Sequence, residues 1–253
     1  MHFLSCRFLL RQFFLFFLPI APFGAVYSQK PGADTVFLMS TVKNVREIYS
    51  RTLGLSSHLL NGVQYKEYNA HLDDEGHPYF GLDDWVEGSV YYDGEVYEGV
   101  AILYDLIKDK VVIEHPFAGI KLELISEKIK YVDLPGHRFV RLDADTLKNA
   151  SIRTGFYDLL YDGLTKFYVK RQKERKDEIV GQEIQVKFSE NDRLYIFKQG
   201  QYIQVKTKSS VLTTLADRKA ELRKYIRKNK IHFRRNREDA ITRVVAFYDE
   251  SGK

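Results

Sequence analysis

The chain has 253 residues, of which 44% are hydrophobic and 29% are charged. These proportions are typical of a folded globular protein, and they exclude wholesale disorder, collagen-like repeats and low-complexity architectures. The length suits one large domain or two small ones with an adequate core. The formal net charge is only +5, so the distribution of charge along the chain is more informative than its sum.

Residues 1–28 have the pattern of a secretory signal peptide. Arg7 and Arg11 supply a positive start, residues 13–27 carry no charged side chain, and residues 26–28 read Val-Tyr-Ser before Gln29. The alternative is a membrane anchor, but the stretch is shorter than the roughly 20 apolar residues of a spanning helix, and two prolines interrupt it. We therefore expect cleavage after Ser28 and export to the periplasm or the cell surface.

The chain that cleavage would leave contains no cysteine, because Cys6 is the only one in the sequence. Disulfides, thiolate nucleophiles and cysteine metal sites are therefore not expected in the mature protein. No later stretch approaches the length of a membrane-spanning helix, so the mature chain is expected not to cross a membrane.

Residues 29–70 are predicted to form an N-terminal lead with one short helix, because apolar side chains recur at helical spacing within residues 40–53. Residues 71–206 are predicted to form an antiparallel β domain. About ten short aromatic and β-branched segments follow one another there, and turn signals separate them. The fold class is mainly β (α+β), with the strands in a curved meander or a partly open barrel.

Three X-Gly pairs in this domain predict hairpin turns between strands. They are Asp93-Gly94, Asp162-Gly163 and, as a weaker case, Gln199-Gly200. A type I′ turn requires positive φ at both central residues, which favours such pairs. At the second pair we expect a tight turn in which Gly163 has positive φ.

Residues 207–253 are predicted to form a cap of two helices on the sheet. Ile241, Val244, Val245 and Tyr248 follow the i, i+3, i+4, i+7 pattern of a buried helix face, and Asn236 can cap this last helix. The preceding helix is predicted within residues 217–230. The last helix is so short that it would be marginal alone, so tertiary packing must hold it in place.

The C-terminal segment is strongly basic, with thirteen lysines and arginines against four carboxylates in residues 206–243. In an exported protein such a segment favours an anionic lipid, an acidic glycan or an acidic envelope protein as partner, and export argues against nucleic acid. The alternative is a solvated helix face with no ligand, its charge partly neutralised by the acidic sheet domain. The candidate binding residues are Arg223, Arg227, Arg234, Arg235 and Arg237.

A metal site is the other hypothesis that the residue types permit. His71, Asp74 and His77 lie close together in sequence, and imidazole with carboxylate is a donor set for zinc. Their spacing matches no helical pair and no calcium loop, and Gly76 with Pro78 indicates an ordinary turn. Motifs for serine hydrolases, phosphate loops and dinucleotide binding are missing from the sequence, so we predict no catalytic residue and no cofactor.

Several short motifs resemble a group of exported proteins common in Bacteroidota. They are Gly-His-Pro-Tyr-Phe at 76–80, Tyr-Asp-Gly-Glu-Val-Tyr-Glu-Gly-Val at 92–100, Gly-Phe-Tyr at 155–157 and Phe-Tyr-Asp at 247–249. The resemblance implies an exported location and a β-rich fold. It assigns no activity and no catalytic residue.

These observations together predict a non-enzymatic, monomeric binding or structural module of the cell envelope. The first alternative is a carrier of a lipid or another apolar ligand in a cavity of the curved sheet, and the second is a metal-dependent enzyme. A carrier should enclose an apolar cavity of several hundred Å3, whereas a plain module should fill the inner face of its sheet with side chains.

Overall fold

A large antiparallel sheet organises the chain. The computed structural model describes Thr41 and residues 58–68, 75–115, 119–147, 151–180 and 183–251, and residues from 58 onward belong to one unit, Leu53–Lys253. The sheet has eleven strands: β1 (Val63–Gln64), β2 (Val86–Tyr92), β3 (Glu95–Asp105), β4 (Lys110–Glu114), β5 (Lys121–Glu123), β6 (Ile129–Leu134), β7 (His137–Leu142), β8 (Gly155–Asp162), β9 (Lys166–Lys170), β12 (Arg193–Lys198) and β13 (Gln201–Val205).

The strand order is β1-β5-β4-β3-β2-β6-β7-β8-β9-β12-β13, and every paired neighbour is antiparallel. Most strands of this sheet lie beside the next one along the chain, but β1 pairs with β5, β6 with β2, and β9 with β12. Between β9 and β12 the chain forms a separate hairpin of β10 (Lys173–Val180) and β11 (Glu183–Glu190). The predicted mainly β, open antiparallel sheet is therefore confirmed.

The sheet curls so strongly that distant strands touch. In the sheet order β8 lies four strands from β3, a separation of about 19 Å if the sheet were flat. The Tyr104 ring on β3 nevertheless lies 5.9 Å from the Phe156 ring on β8. At the turn after β3, the Asp109 carboxylate accepts a hydrogen bond from the Phe156 amide at 3.3 Å.

Two apolar cores lie on one face of this sheet. The first packs between the curled strands and includes the fully buried Val90, Tyr92 and Phe139. The second lies between β9, β12, β13 and the C-terminal helices. Strand β8 contributes to both cores, because Phe156 belongs to the first core and Leu160 packs against the second.

Three short helices cover the second core: α2 (Lys208–Thr214), α3 (Lys219–Lys228) and α4 (Arg237–Glu250), whereas α1 (Ala144–Leu147) is a single turn between β7 and β8. The two helices predicted for the cap correspond to α3 and α4, and α2 is a third. Thr207 begins α2 with a capping box, since its hydroxyl accepts from the Ser210 amide at 3.2 Å and the Ser210 side chain accepts from the Thr207 amide.

The apolar stripe of α4 is buried as predicted. Ile241, Val244 and Val245 have no exposed surface, and Tyr248 packs at the margin of the second core. Asn236 caps the helix by accepting from the Asp239 amide at 3.0 Å. The cap is therefore an integral part of the fold.

The hairpin turns follow the prediction at two pairs and depart from it at the third. Asp93-Gly94 and Gln199-Gly200 are two-residue turns with positive φ at both positions. The prediction for Gly163 is wrong, because this glycine does not have positive φ and three residues connect β8 to β9. A Cβ here would instead collide with the Asp249 carboxylate and lie 2.8 Å from the Tyr161 hydroxyl.

Two predicted elements, the signal peptide and, apart from the helical Thr41, the helix within residues 40–53, lie outside the described residues. Among the described residues, no helix combines the length and apolarity needed to cross a membrane.

Candidate functional site

One face of α3 is covered with positive charge. Leu222 and Ile226 point into the second core, and the Tyr225 ring stacks on Phe247 with centroids 3.9 Å apart and planes 7° apart. The opposite face exposes Arg223, Lys224, Arg227 and Lys228. Positions i, i+1, i+4 and i+5 lie on one side of an α-helix, so the four cations point outward together.

The segment between α3 and α4 continues this charge. Ile231 is buried and its amide donates to the Ile226 carbonyl at 3.0 Å, which turns the chain back toward the cap. Backbone hydrogen bonds from residues 235 and 236 to the His232 carbonyl close the next turn. The cations exposed in this segment and at the start of α4 are Lys230, Arg234, Arg235 and Arg237.

We define these eight residues as the basic surface: Arg223, Lys224, Arg227, Lys228, Lys230, Arg234, Arg235 and Arg237. They fall within residues 222–237, which contain no aspartate or glutamate. All five arginines predicted as binding residues belong to this surface. The structure thus places these five arginines on α3, on the turn after it and at the start of α4.

The four carboxylates nearest in sequence bind other cations. Within the described part of the chain, no carboxylate comes within ion-pair distance of the basic surface. Because the four carboxylates pair elsewhere, they do not neutralise the basic surface at short range. Their pairs are Asp217 with Lys198 at 2.6 Å, Glu221 with Arg218 at 3.5 Å, Glu238 with Arg171 at 2.6 Å and Asp239 with Arg243 at 3.7 Å.

Of the three predicted metal ligands, the structure describes only His77. Its ring stacks on Tyr79 with centroids 6.2 Å apart, and its buried Nδ1 has no hydrogen-bond partner among the described residues. Burial, with a contribution from Lys173, lowers the pKa of His77, which favours the neutral imidazole. His71 and Asp74 lie outside the described residues, and the described ones contain no group of three metal-binding side chains.

Sequence reasoning missed a buried charge cluster between the two apolar cores. Asp158 on β8 has no exposed surface, and its Oδ2 accepts from Arg171 Nε at 3.1 Å and Nη2 at 2.8 Å. The same guanidinium donates to Asp192 at 2.8 Å and to Glu238 on α4 at 2.6 Å. His137 Nδ1 lies 2.7 Å from the same Oδ2, whereas Oδ1 has no partner among the described residues.

This cluster joins the cap to the sheet. Burial alone lowers the pKa of Arg171, but the hydrogen bonds with Glu238 and Asp192 outweigh burial and raise this pKa above its ordinary value. The guanidinium therefore stays charged and holds three carboxylates from separate segments. The signal in the sequence was Asp158 itself, the only charge in Gly-Phe-Tyr-Asp-Leu-Leu-Tyr.

A second cluster secures the curl of the sheet. Asp109 accepts from the Tyr104 hydroxyl at 2.6 Å and pairs with Lys170 at 2.6 Å. Burial raises the pKa of Tyr104, with Asp109 adding to the effect, and burial lowers the pKa of Lys170 despite this pair. These groups bind one another across the curled sheet.

An open pocket of about 430 Å3 lies where the turns after β8 and β12 meet the C-terminal end of α4. Its charged groups already have partners, because Lys198 and Tyr248 both donate to Asp217, and Asp249 accepts from the Thr165 amide at 2.9 Å. The pocket is lined by Leu164, Thr165, Lys198, Gln199, Asp217, Arg218, Tyr248 and Asp249.

Comparison with known proteins found no matching family model, no similar curated protein and no similar solved structure.

Proposed function

We propose that the protein is an exported, non-enzymatic binding module of the cell envelope, and that its basic surface binds an anionic partner. The observation that carries this proposal is the uncompensated charge of the eight cations, whose neighbouring carboxylates all pair with other cations. A solvated face without a ligand has no need to keep its own carboxylates away from its arginines.

A binding role accounts for the charged groups better than catalysis does. The ionisable side chains between the two cores pair with one another, as Arg171 does with Asp158, Asp192 and Glu238. Asp109 is likewise bound to Tyr104 and Lys170. Such pairs stabilise contacts between segments, and each charged group in them is occupied by its partner.

The alternative carrier function requires an enclosed apolar cavity. Side chains occupy the inner face of the curled sheet, where Val90, Tyr92 and Ile102 have no exposed surface. The open pocket near α4 is lined largely by polar and charged groups. These observations favour the binding module over the carrier.

Export is a separate part of the proposal, supported by residues 1–28 and by the resemblance to exported proteins of Bacteroidota. We expect the mature N-terminus to be Gln29. Mass spectrometry of protein recovered from the envelope or the medium would measure this directly. Recovery with residues 13–18 intact would contradict cleavage.

The binding proposal is tested with immobilised heparin, a polyanion that probes anion binding in general. Wild type should elute at a higher salt concentration than a variant in which the five arginines are changed to glutamine. A control variant loses five exposed cations elsewhere, so its net charge is the same. It carries Lys66→Gln, Lys130→Gln, Arg153→Gln, Arg175→Gln and Lys176→Gln.

The control should elute close to wild type, because removing charge far from the basic surface changes only weak, screened interactions. Equal elution of the two variants would mean that net charge, and not the basic surface, determines retention. Failure of wild type to bind would contradict the proposed function.

A further inference from the structure

The tyrosine and phenylalanine rings of the cap pack against other parts of the fold. Tyr225 and Phe247 stack face to face at 3.9 Å, and Phe233 and Tyr248 pack against the second core. Proteins that bind single-stranded nucleic acid combine a basic groove with aromatic rings on which bases stack. The tyrosine and phenylalanine rings next to the basic surface are thus already packed against other side chains, which leaves charge as the means of recognition.

The shape and extent of the surface also restrict its partner. The exposed cations of α3 run from Arg223 to Lys228, about 8 Å along the helix axis, and the segment after the helix adds four more. The cations lie on the outside of a helical hairpin and not within the open pocket. Eight exposed cations that lie outside a pocket suit a two-dimensional array of anionic groups better than a single small anion.

The charge of the remaining residues is opposite in sign to that of the basic surface. The basic surface carries +8 and the whole chain +5, so the remaining residues carry a formal charge of −3. A molecule with this asymmetry is attracted to an anionic layer through its basic surface.

We propose that the basic surface docks the protein on a bilayer of anionic phospholipids, with α3 and residues 229–237 facing the phosphate groups. This inference rests on the proposed function and names its partner. Arginine binds phosphate oxygens through two donors at once, which explains why arginines outnumber lysines here. The protein adsorbs at the headgroups, and its sheet stays outside the bilayer.

The test is co-sedimentation with vesicles of phosphatidylcholine alone or with 30% phosphatidylglycerol. Wild type, the variant lacking the five arginines and the control variant lacking five distant cations are compared at low and physiological salt. All three share residues 13–27, so adsorption caused by this apolar stretch is common to them. Free inorganic phosphate is added as a competitor.

We expect wild type and control to bind only the phosphatidylglycerol vesicles, and the arginine variant to bind at least about 100-fold more weakly. Binding should fall by about tenfold or more when salt rises from 50 to 200 mM, because screening shortens the reach of exposed charges. Phosphate at millimolar concentration should displace little protein, since one ion replaces only one of many contacts.

Four results would overturn the inference. If wild type binds heparin but not the anionic vesicles, a lipid bilayer is not the partner, and the proposed function still stands. Displacement by millimolar phosphate would indicate a site for a single anion. Equal loss of binding in both variants would assign adsorption to net charge. Failure on both heparin and vesicles would remove the proposed function as well.

Discussion

Gly163 shows how one residue depends on a contact far away in sequence. The single Thr165 N–H donates to both oxygens of the Asp249 carboxylate on α4, at 2.9 and 3.2 Å, which holds the carboxylate directly over Gly163. The Asp-Gly pair correctly predicted a turn, but the reason for glycine is the close approach of α4 and not positive φ. No sequence pattern contains that information, because 86 residues separate Gly163 and Asp249.

Replacing Gly163 with valine should lower the free energy of unfolding by about 1–3 kcal/mol, since the added atoms force the carboxylate or Tyr161 to move. Chemical denaturation of the variant measures this change. Gly163→Ala combined with Asp249→Ala should lose less than the sum of the two single variants. Additive losses would mean that the glycine and the carboxylate do not meet.

Arg171 offers a second test at the scale of one residue. Changing it to methionine removes the shared partner of Asp158, Asp192 and Glu238 and should cost about 3–5 kcal/mol of stability. The matched control is Arg138→Met, which breaks a half-exposed pair with Asp133 and should cost about 0–1 kcal/mol. Similar losses in the two variants, measured by urea unfolding, would contradict the role assigned to the buried cluster.

At the scale of elements, helical periodicity and caps correctly identified α4. Its apolar stripe is continuous, and Asn236 provides a recognisable beginning. The short helix α2 was missed because its seven residues bury only Val211 and Leu212, too few to establish a period. The strand that carries Asp158 was predicted, but its contact with Arg171 and Glu238 depends on tertiary packing.

α4 also permits a prediction about the cap as a whole. Val244→Asp places a carboxylate in a fully buried position and should lower stability by more than about 4 kcal/mol. Arg243→Gln, on the exposed side of the same helix, should have little effect because its pair with Asp239 is long and solvent-exposed. Thermal melting compares the two. A harmless Val244→Asp would mean that residues 237–250 form a tail and not a cap.

At the scale of the molecule, the tyrosines report on the curled sheet. Burial raises the pKa of Tyr157 from 10.0 to about 12. Burial likewise raises the pKa of several others among the 17 tyrosines. They include Tyr65, Tyr68, Tyr104, Tyr168 and Tyr202.

A tyrosine whose pKa is higher in the folded state stabilises the fold fully below pH 10. This contribution is lost as the pH rises through the folded-state pKa, which for Tyr157 is about 12. We therefore expect alkaline titration at 295 nm to show two phases, with exposed tyrosines first and buried ones only as circular dichroism reports unfolding. A single phase near pH 10 without unfolding would contradict the buried positions.

The architecture was more accessible to prediction than the candidate site. Alternating aromatic and β-branched residues with X-Gly turns were sufficient for the antiparallel sheet, since these signals are local. The basic surface was also visible as a run of arginines. The sequence did not reveal whether the neighbouring carboxylates neutralise the basic surface. That depends on tertiary contacts, such as the one between Glu238 and Arg171, 67 residues earlier in the chain.

The central claim is that the positive face of a folded cap meets an anionic partner. In a Cys6→Ser background the chain has no other cysteine. One environment-sensitive fluorophore can therefore be attached at His232→Cys, between Lys230 and Arg234 of the basic surface, or at Lys130→Cys on the exposed side of β6. With phosphatidylglycerol vesicles, the account predicts a salt-sensitive change in emission at position 232 and little at position 130. A change at position 130 alone, or equal changes at both, would contradict it.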